Sequence, residues 1–158
     1  MKKLQLSLVS LIIATTAMAQ IPSLIEVSEE NWEAWYGSDF NNVLNFVAQG
    51  ADTVLLTTSG FLYSSSDTLG MVIDHPVVIM AAPGLAEKPI ITHTNPNAST
   101  SMEIFRVCTD VVFDGIAFEG NVSGENGCKY GIRYGDYENE ATGAITLAGN
   151  DINITIKN

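Results

Sequence analysis

The sequence predicts an all-β fold, a parallel β-helix solenoid opened by one capping α-helix, and three observations carry that expectation. After Gly50 the apolar residues fall in short β-branched runs broken by Gly, Pro, Ser and Asn, without helical period. Those runs align with one another as imperfect repeats. Finally, "TDVVFDGIAFEG" (Thr109 to Gly120) holds two alternating pairs, Val111/Phe113 and Ile116/Phe118, whose period slips by one at Asp114-Gly115. A sharp corner between two inward-facing strands explains the slip, with Gly relieving the backbone there.

The repeats can be set out residue by residue. With "HPVVIMAAPG" beneath "TDVVFDGIAF", Val77 falls on Val111, Ile79 on Phe113 and Ala81 on Gly115. Upstream, Met71 and Ile73 fall on Phe105 and Val107. "NITIKN" is a third copy, with Ile154 and Ile156 inward and Asn158 at the turn. If the preceding loop lengthens, "AITL" places Ile145 and Leu147 opposite Phe105 and Val107. The expected inward stack is Val77, Ile79, Phe105, Val107, Val111, Phe113, Ile116, Phe118, Ile154 and Ile156. An antiparallel sandwich would instead make Asp114-Gly115 a hairpin loop, but flanking strands of two or three residues are short for one.

The elements before the repeats read in order. "MKKLQLSLVSLIIATTAMAQ" has the three regions of a secretory leader: Lys2 and Lys3, an apolar core from Leu4 to Ala14, and Ala17-Met18-Ala19 as the cleavage site. Residues 1–19 are therefore expected to be removed and the chain exported, to the periplasm, the outer membrane or the exterior. No apolar run is long enough to span a bilayer. Residues 20–50 form an N-terminal segment. In it "SEENWEAWYG" predicts a short helix capped by Ser28, and "SDFNNVLNFVAQG" predicts a helix from Asp39 to Gln49. Phe40, Val43, Leu44, Val47 and Ala48 make its apolar stripe, and Gly50 ends it. Residues 51–158 are expected to be the first coils. No capping element comes after Asn158, which predicts the N-terminal part of a longer protein.

Charge narrows the partners. Without the leader, five basic residues face eighteen acidic ones, a net charge of −13. Such a surface repels phosphate backbones and argues against nucleic acid. Cys108 and Cys128 are the only cysteines. Export permits a bridge between them, which would add about 3 kcal/mol in the chain-entropy model. The alternative is one buried thiol and one loop thiol. His75 and His93 lie among prolines and polar residues, with no neighbour suggesting a ligand or a base.

The stretch "SDFNNVLNFVAQGADTVLLTTSGFLYSS" resembles the opening of pectate-lyase-like right-handed β-helices: a helix, then Gly50, Asp52, Thr53 and Leu56, then Gly60 and Tyr63. Glu87, Lys88, Pro89, Ile90 and Ile91 resemble a step of chondroitinase-B-like and alginate-lyase-like exported proteins of Bacteroidota. The resemblance implies right-handed winding and a plugging role for the Asp39–Gln49 helix. It also implies polysaccharide-lyase chemistry, in which a base takes the proton beside a uronate carboxylate while calcium or arginine neutralises that carboxylate. The family's catalytic coils lie further along than this chain reaches, so no residue here inherits a catalytic role.

One local cluster has chemical potential of its own. "CKYGIRYGDYENE" gathers Lys129, Tyr130, Arg133, Tyr134 and Tyr137, candidate carbohydrate contacts because aromatic rings suit sugar faces and Lys or Tyr with Arg is the right kit for β-elimination. Read blandly, it is a surface insertion in which Lys129 and Arg133 pair with Asp136, Glu138 and Glu140. Those three acids are also weak candidate ligands for Ca²⁺, without the ordered spacing of a known loop. No other cofactor is expected in this segment. The leading expectation is a secreted, carbohydrate-active protein of the polysaccharide-lyase type, this segment being scaffold and cap. The rival is a non-catalytic surface adhesin or glycan-binding module, partnered by a polysaccharide or cell-surface glycan.

Overall fold

The computed structural model describes residues 23–65, 70–94, 103–120, 128, 130–138, 145–149 and 151–158. The leader expected over residues 1–19 lies outside them, as do Lys129 and Glu140. The chain opens with β1 (Leu24–Val27), then two helices, α1 (Glu29–Tyr36) and α2 (Phe40–Ala48). Ser28 caps α1 through a capping box: its hydroxyl accepts from Asn31 N, and the Asn31 side chain accepts from Ser28 N. Gly37, in the left-handed region at φ 57°, closes it. The cap of α2 is Asp39, whose carboxylate accepts from Asn41 N; Ser38, the expected cap, sits outside the helix at φ 58°.

Ten short strands make up most of the remaining fold: β2 (Thr53–Leu56), β3 (Leu62–Ser65), β4 (Met71–Ile73), β5 (Val77–Ala81), β6 (Ile90–His93), β7 (Glu103–Val107), β8 (Val111–Asp114), β9 (Ala117–Glu119), β10 (Tyr130–Tyr134) and β13 (Ile154–Lys157). They join β1 in three separate parallel sheets, ordered β1-β2-β5-β8-β13, β4-β7-β10 and β3-β6-β9. The remaining two, β11 (Tyr137–Glu138) and β12 (Ile145–Thr146), pair antiparallel.

The expected all-β, right-handed parallel β-helix with one capping helix is therefore corrected. The chain is mostly β with two short helices, and its strands divide among three separate parallel sheets and one antiparallel pair. Alternation in a sequence reports which residues share a face, but not how strands partition into hydrogen-bonded sheets or how the chain winds between them. The slip at Asp114-Gly115 does mark a change of sheet: β8 and β9 belong to different ones. Gly115 takes φ 67°, a conformation only glycine adopts without strain.

Register turns the repeats into columns. Val77 pairs with Val111, Ile79 with Phe113, Met71 with Phe105 and Ile73 with Val107, the same correspondences the repeats predict. In-register parallel strands point equivalent residues the same way, so Ile25, Val54, Ile79, Phe113 and Ile156 form one column. Met71, Phe105 and Ile132 form a second, and Ile73, Val107 and Tyr134 a third. The position opposite Phe105 and Val107 is thus held by Ile132 and Tyr134 of β10, not by Ile145 and Leu147. Ile145 instead faces Glu138 in the antiparallel pair.

Rings from different sheets meet in one core. Phe105 lies 5.4 Å from Phe113, and Phe118 is edge-on to both. The helices cover one end: Phe40 is edge-on to Phe105 at 5.9 Å and Trp32 edge-on to Tyr63 at 5.3 Å. Each such side chain contributes about 1.5–3 kcal/mol by leaving water. Of the expected stack, Val77, Ile79, Phe105, Val107, Val111, Phe113 and Ile116 are buried. Phe118 and Ile154 are half-buried, and Ile156 is 62% exposed because no strand lies beyond β13 among the described residues.

Candidate functional site

Of the cluster singled out in the sequence, Tyr130, Arg133 and Tyr134 lie on β10, Tyr137 on β11, and Lys129 outside the described residues. Tyr130 pairs with Glu103 of β7, Arg133 with Arg106 and Tyr134 with Val107. The Arg133 guanidinium stands 5.9 Å from the centroid of the Tyr130 ring, within cation–π range. Both side chains are accessible from solvent.

Beneath them lies a buried carboxylate. Glu103 forms an ion pair with Arg106, whose Nε also donates to Glu103 Oε1 at 2.6 Å. Arg133 Nη1 reaches the other carboxylate oxygen at 3.8 Å. Arg106 further donates to the carbonyl of Asp136 at 2.8 Å, tying β7 to the turn after β10. Gly70 lets Glu103 come this close: a Cβ there would stand 2.7 Å from the Glu103 carbonyl. Arg133 is thus partnered by Glu103; among the described residues no ion pair joins it to Asp136 or Glu138, and Glu140 lies outside them.

The remaining candidates separate. Tyr134 is 64% exposed, yet it ends the apolar column above Val107 and Ile73 and borders a cavity of about 360 Å³ with Asp151, Ile152 and Ile154. It is a core-type position left uncovered. The Tyr137 backbone pairs with Thr146 in β11–β12, and Asp136 Oδ1 accepts from Ala148 N at 2.8 Å, holding that turn. Glu138 is exposed on β11. Among the described residues no three His, Cys, Asp or Glu side chains converge on a point where a metal could sit.

The cysteines are both free thiols, so the Cys108–Cys128 bridge is not formed. Cys108 is buried and its Sγ lies 3.4 Å from the Gly135 carbonyl; burial raises its pKa, with Asp74 and Asp136 adding to the rise and Arg106 opposing it. Cys128 is half-buried, and burial, with a smaller contribution from Glu103, pushes its thiol up to about 11. Neither is a ready nucleophile at neutral pH.

Two other features leave no signal in the sequence. His93 is buried on β6 and stands in register with Ser65, which accepts from Asn41 of α2 at 2.9 Å. Register aligns the two strand residues, and the packing of α2 adds Asn41. The outer face of the five-stranded sheet carries a groove of about 500 Å³, where Thr53, Val78, Val112 and Thr155 run in register and Asp52 and Asp110 join the lining. Asp110 is engaged there, accepting from Asn153 N at 2.8 Å. Among the described residues no helix is long and apolar enough to cross a membrane. Compared with protein-family models, characterised proteins and solved structures, the chain matches none.

Proposed function

We propose that this chain is an exported glycan-binding protein, a carbohydrate-recognising scaffold rather than a catalyst. The observation that carries the proposal is the exposed Tyr130 ring with the Arg133 guanidinium beside it on β10. An aromatic face accepts the apolar face of a pyranose, while guanidinium N–H groups donate to ring hydroxyls. Arg133 is already partly neutralised by Glu103, and the chain is strongly acidic. Both features favour a neutral glycan over a polyanionic one. The leader-like first residues support export.

A lyase reading would need a base and a charge-neutralising donor aimed at one sugar carbon. Arg133 is held to Glu103, which supports binding over β-elimination. Affinity electrophoresis in gels carrying neutral glycans, alginate, chondroitin or pectate tests the proposal. Retardation in at least one neutral gel, reduced several-fold in Tyr130→Ala and Arg133→Ala, is the expected result. Ultraviolet absorbance recorded with alginate, chondroitin and pectate should show no unsaturated product; calcium-dependent product formation would overturn the non-catalytic reading.

A further inference from the structure

The first helix holds an aromatic residue that the core does not use. In α1, Trp32 and Tyr36 are buried, but Trp35 is 70% exposed. Beside it, between β1, α1 and α2, lies a cavity of about 410 Å³ lined by Leu24, Glu26, Asn31, Trp35, Tyr36 and Phe46, among others. That volume falls in the range of small-molecule sites. The walls are held in place. Asn31 Nδ2 and the Tyr36 hydroxyl both donate to the Glu26 carbonyl, at 3.0 and 3.2 Å, and Tyr36 packs edge-on to Phe46 at 5.7 Å.

The chemistry of the lining selects a ligand. Three aromatic rings and one carboxylate border the cavity, and none of the described lining side chains is basic. The chain as a whole carries a net charge of −11. Aromatic faces attract cations through the ring quadrupole, most strongly at Trp, and a carboxylate beside them adds a direct charge. Anions are repelled, and a neutral apolar ligand would leave Glu26 without a role. We propose that the Trp35 cavity binds a small organic cation of the quaternary ammonium type. This goes beyond the glycan reading and does not depend on β10.

Isothermal titration calorimetry with choline chloride tests it, against sodium chloride at equal ionic strength and against 3,3-dimethylbutan-1-ol, the uncharged carbon isostere. Saturable binding of choline is expected, with the isostere about tenfold weaker or worse. Trp35→Leu should abolish binding and Glu26→Gln should weaken it several-fold. Trp35 is exposed, so circular dichroism of that variant should match the parent chain. Tryptophan fluorescence gives a second readout, because Trp32 is buried and only Trp35 can report ligand directly. Equal affinity for the isostere, no saturable heat, or undiminished binding in Trp35→Leu would each overturn the proposal. Saturable binding of a neutral sugar at Trp35 in place of choline would do the same.

Discussion

At Gly115 a single backbone angle serves the whole corner between β8 and β9. Its φ of 67° leaves no room for a side chain without strain, and a Cβ there would stand 3.2 Å from the Ala81 methyl. Gly115→Ala is expected to cost about 1–2 kcal/mol, read as a lower urea midpoint with unchanged slope. Cys128 allows a pH prediction. Its thiol pKa is pushed up to about 11 in the fold, against an ordinary 9.0, so the folded state favours the protonated form. The stability it contributes is complete below pH 9 and is lost as pH rises through 11. Thermal melts of Cys128→Ser should show less of a fall across that window than the parent chain. Alkylation of Cys128 by iodoacetamide should be slow at pH 8 and accelerate about tenfold per pH unit toward 11.

The elements differ in how far local sequence determines them. α1 carries its own start signal, and Ser28→Ala should cost about 1 kcal/mol by leaving Asn31 N without its cap. α2 depends on packing: Phe40 is fully buried against Phe105 and Trp32. The five-stranded sheet offers a graded test along one column. Ile79 is fully buried and Ile156 is 62% exposed, although register aligns both with Phe113. Ile79→Ala should cost about 2–5 kcal/mol and Ile156→Ala well under half of that, because truncation hurts only where neighbours surround the side chain. Equal costs in denaturant melts would mean that the column is covered at Ile156 as it is at Ile79.

Across the whole molecule, large apolar side chains are exposed among both the first and the last elements. Leu24 on β1 and Trp35 on α1 are exposed, as are Tyr134, Ile145, Leu147 and Ile156 from β10 onward. Exposed apolar side chains promote association unless charge opposes it. Sedimentation velocity should show concentration-dependent association at high salt, where the repulsion between acidic copies is screened. Replacing Leu147 and Ile156 with Lys should suppress that association without lowering the melting temperature by more than about 2 °C, since neither side chain is in the core.

The amino-acid sequence by itself determined the helical stretches, the alternation in β5 and β8, and the pairing of β4 with β7 and of β8 with β5 and β13. Each of these rests on side chains a few residues apart or on runs that match: Ser28 with Asn31, Val111 with Phe113, and the repeats around Ile79 and Phe113. The candidate cluster on β10 was legible as chemistry, since Tyr130 and Arg133 announce themselves by residue type. Its setting was not. Tertiary structure decided that Arg133 answers Glu103, that Tyr134 ends a core column, and that the strands separate into three parallel sheets. It also decided that Ile132 and Tyr134, rather than Ile145 and Leu147, complete the column above Phe105 and Val107. The physical reason is the same in every case: these outcomes depend on which strand lies beside which, and hydrogen bonding between parallel strands is set by contacts remote in sequence.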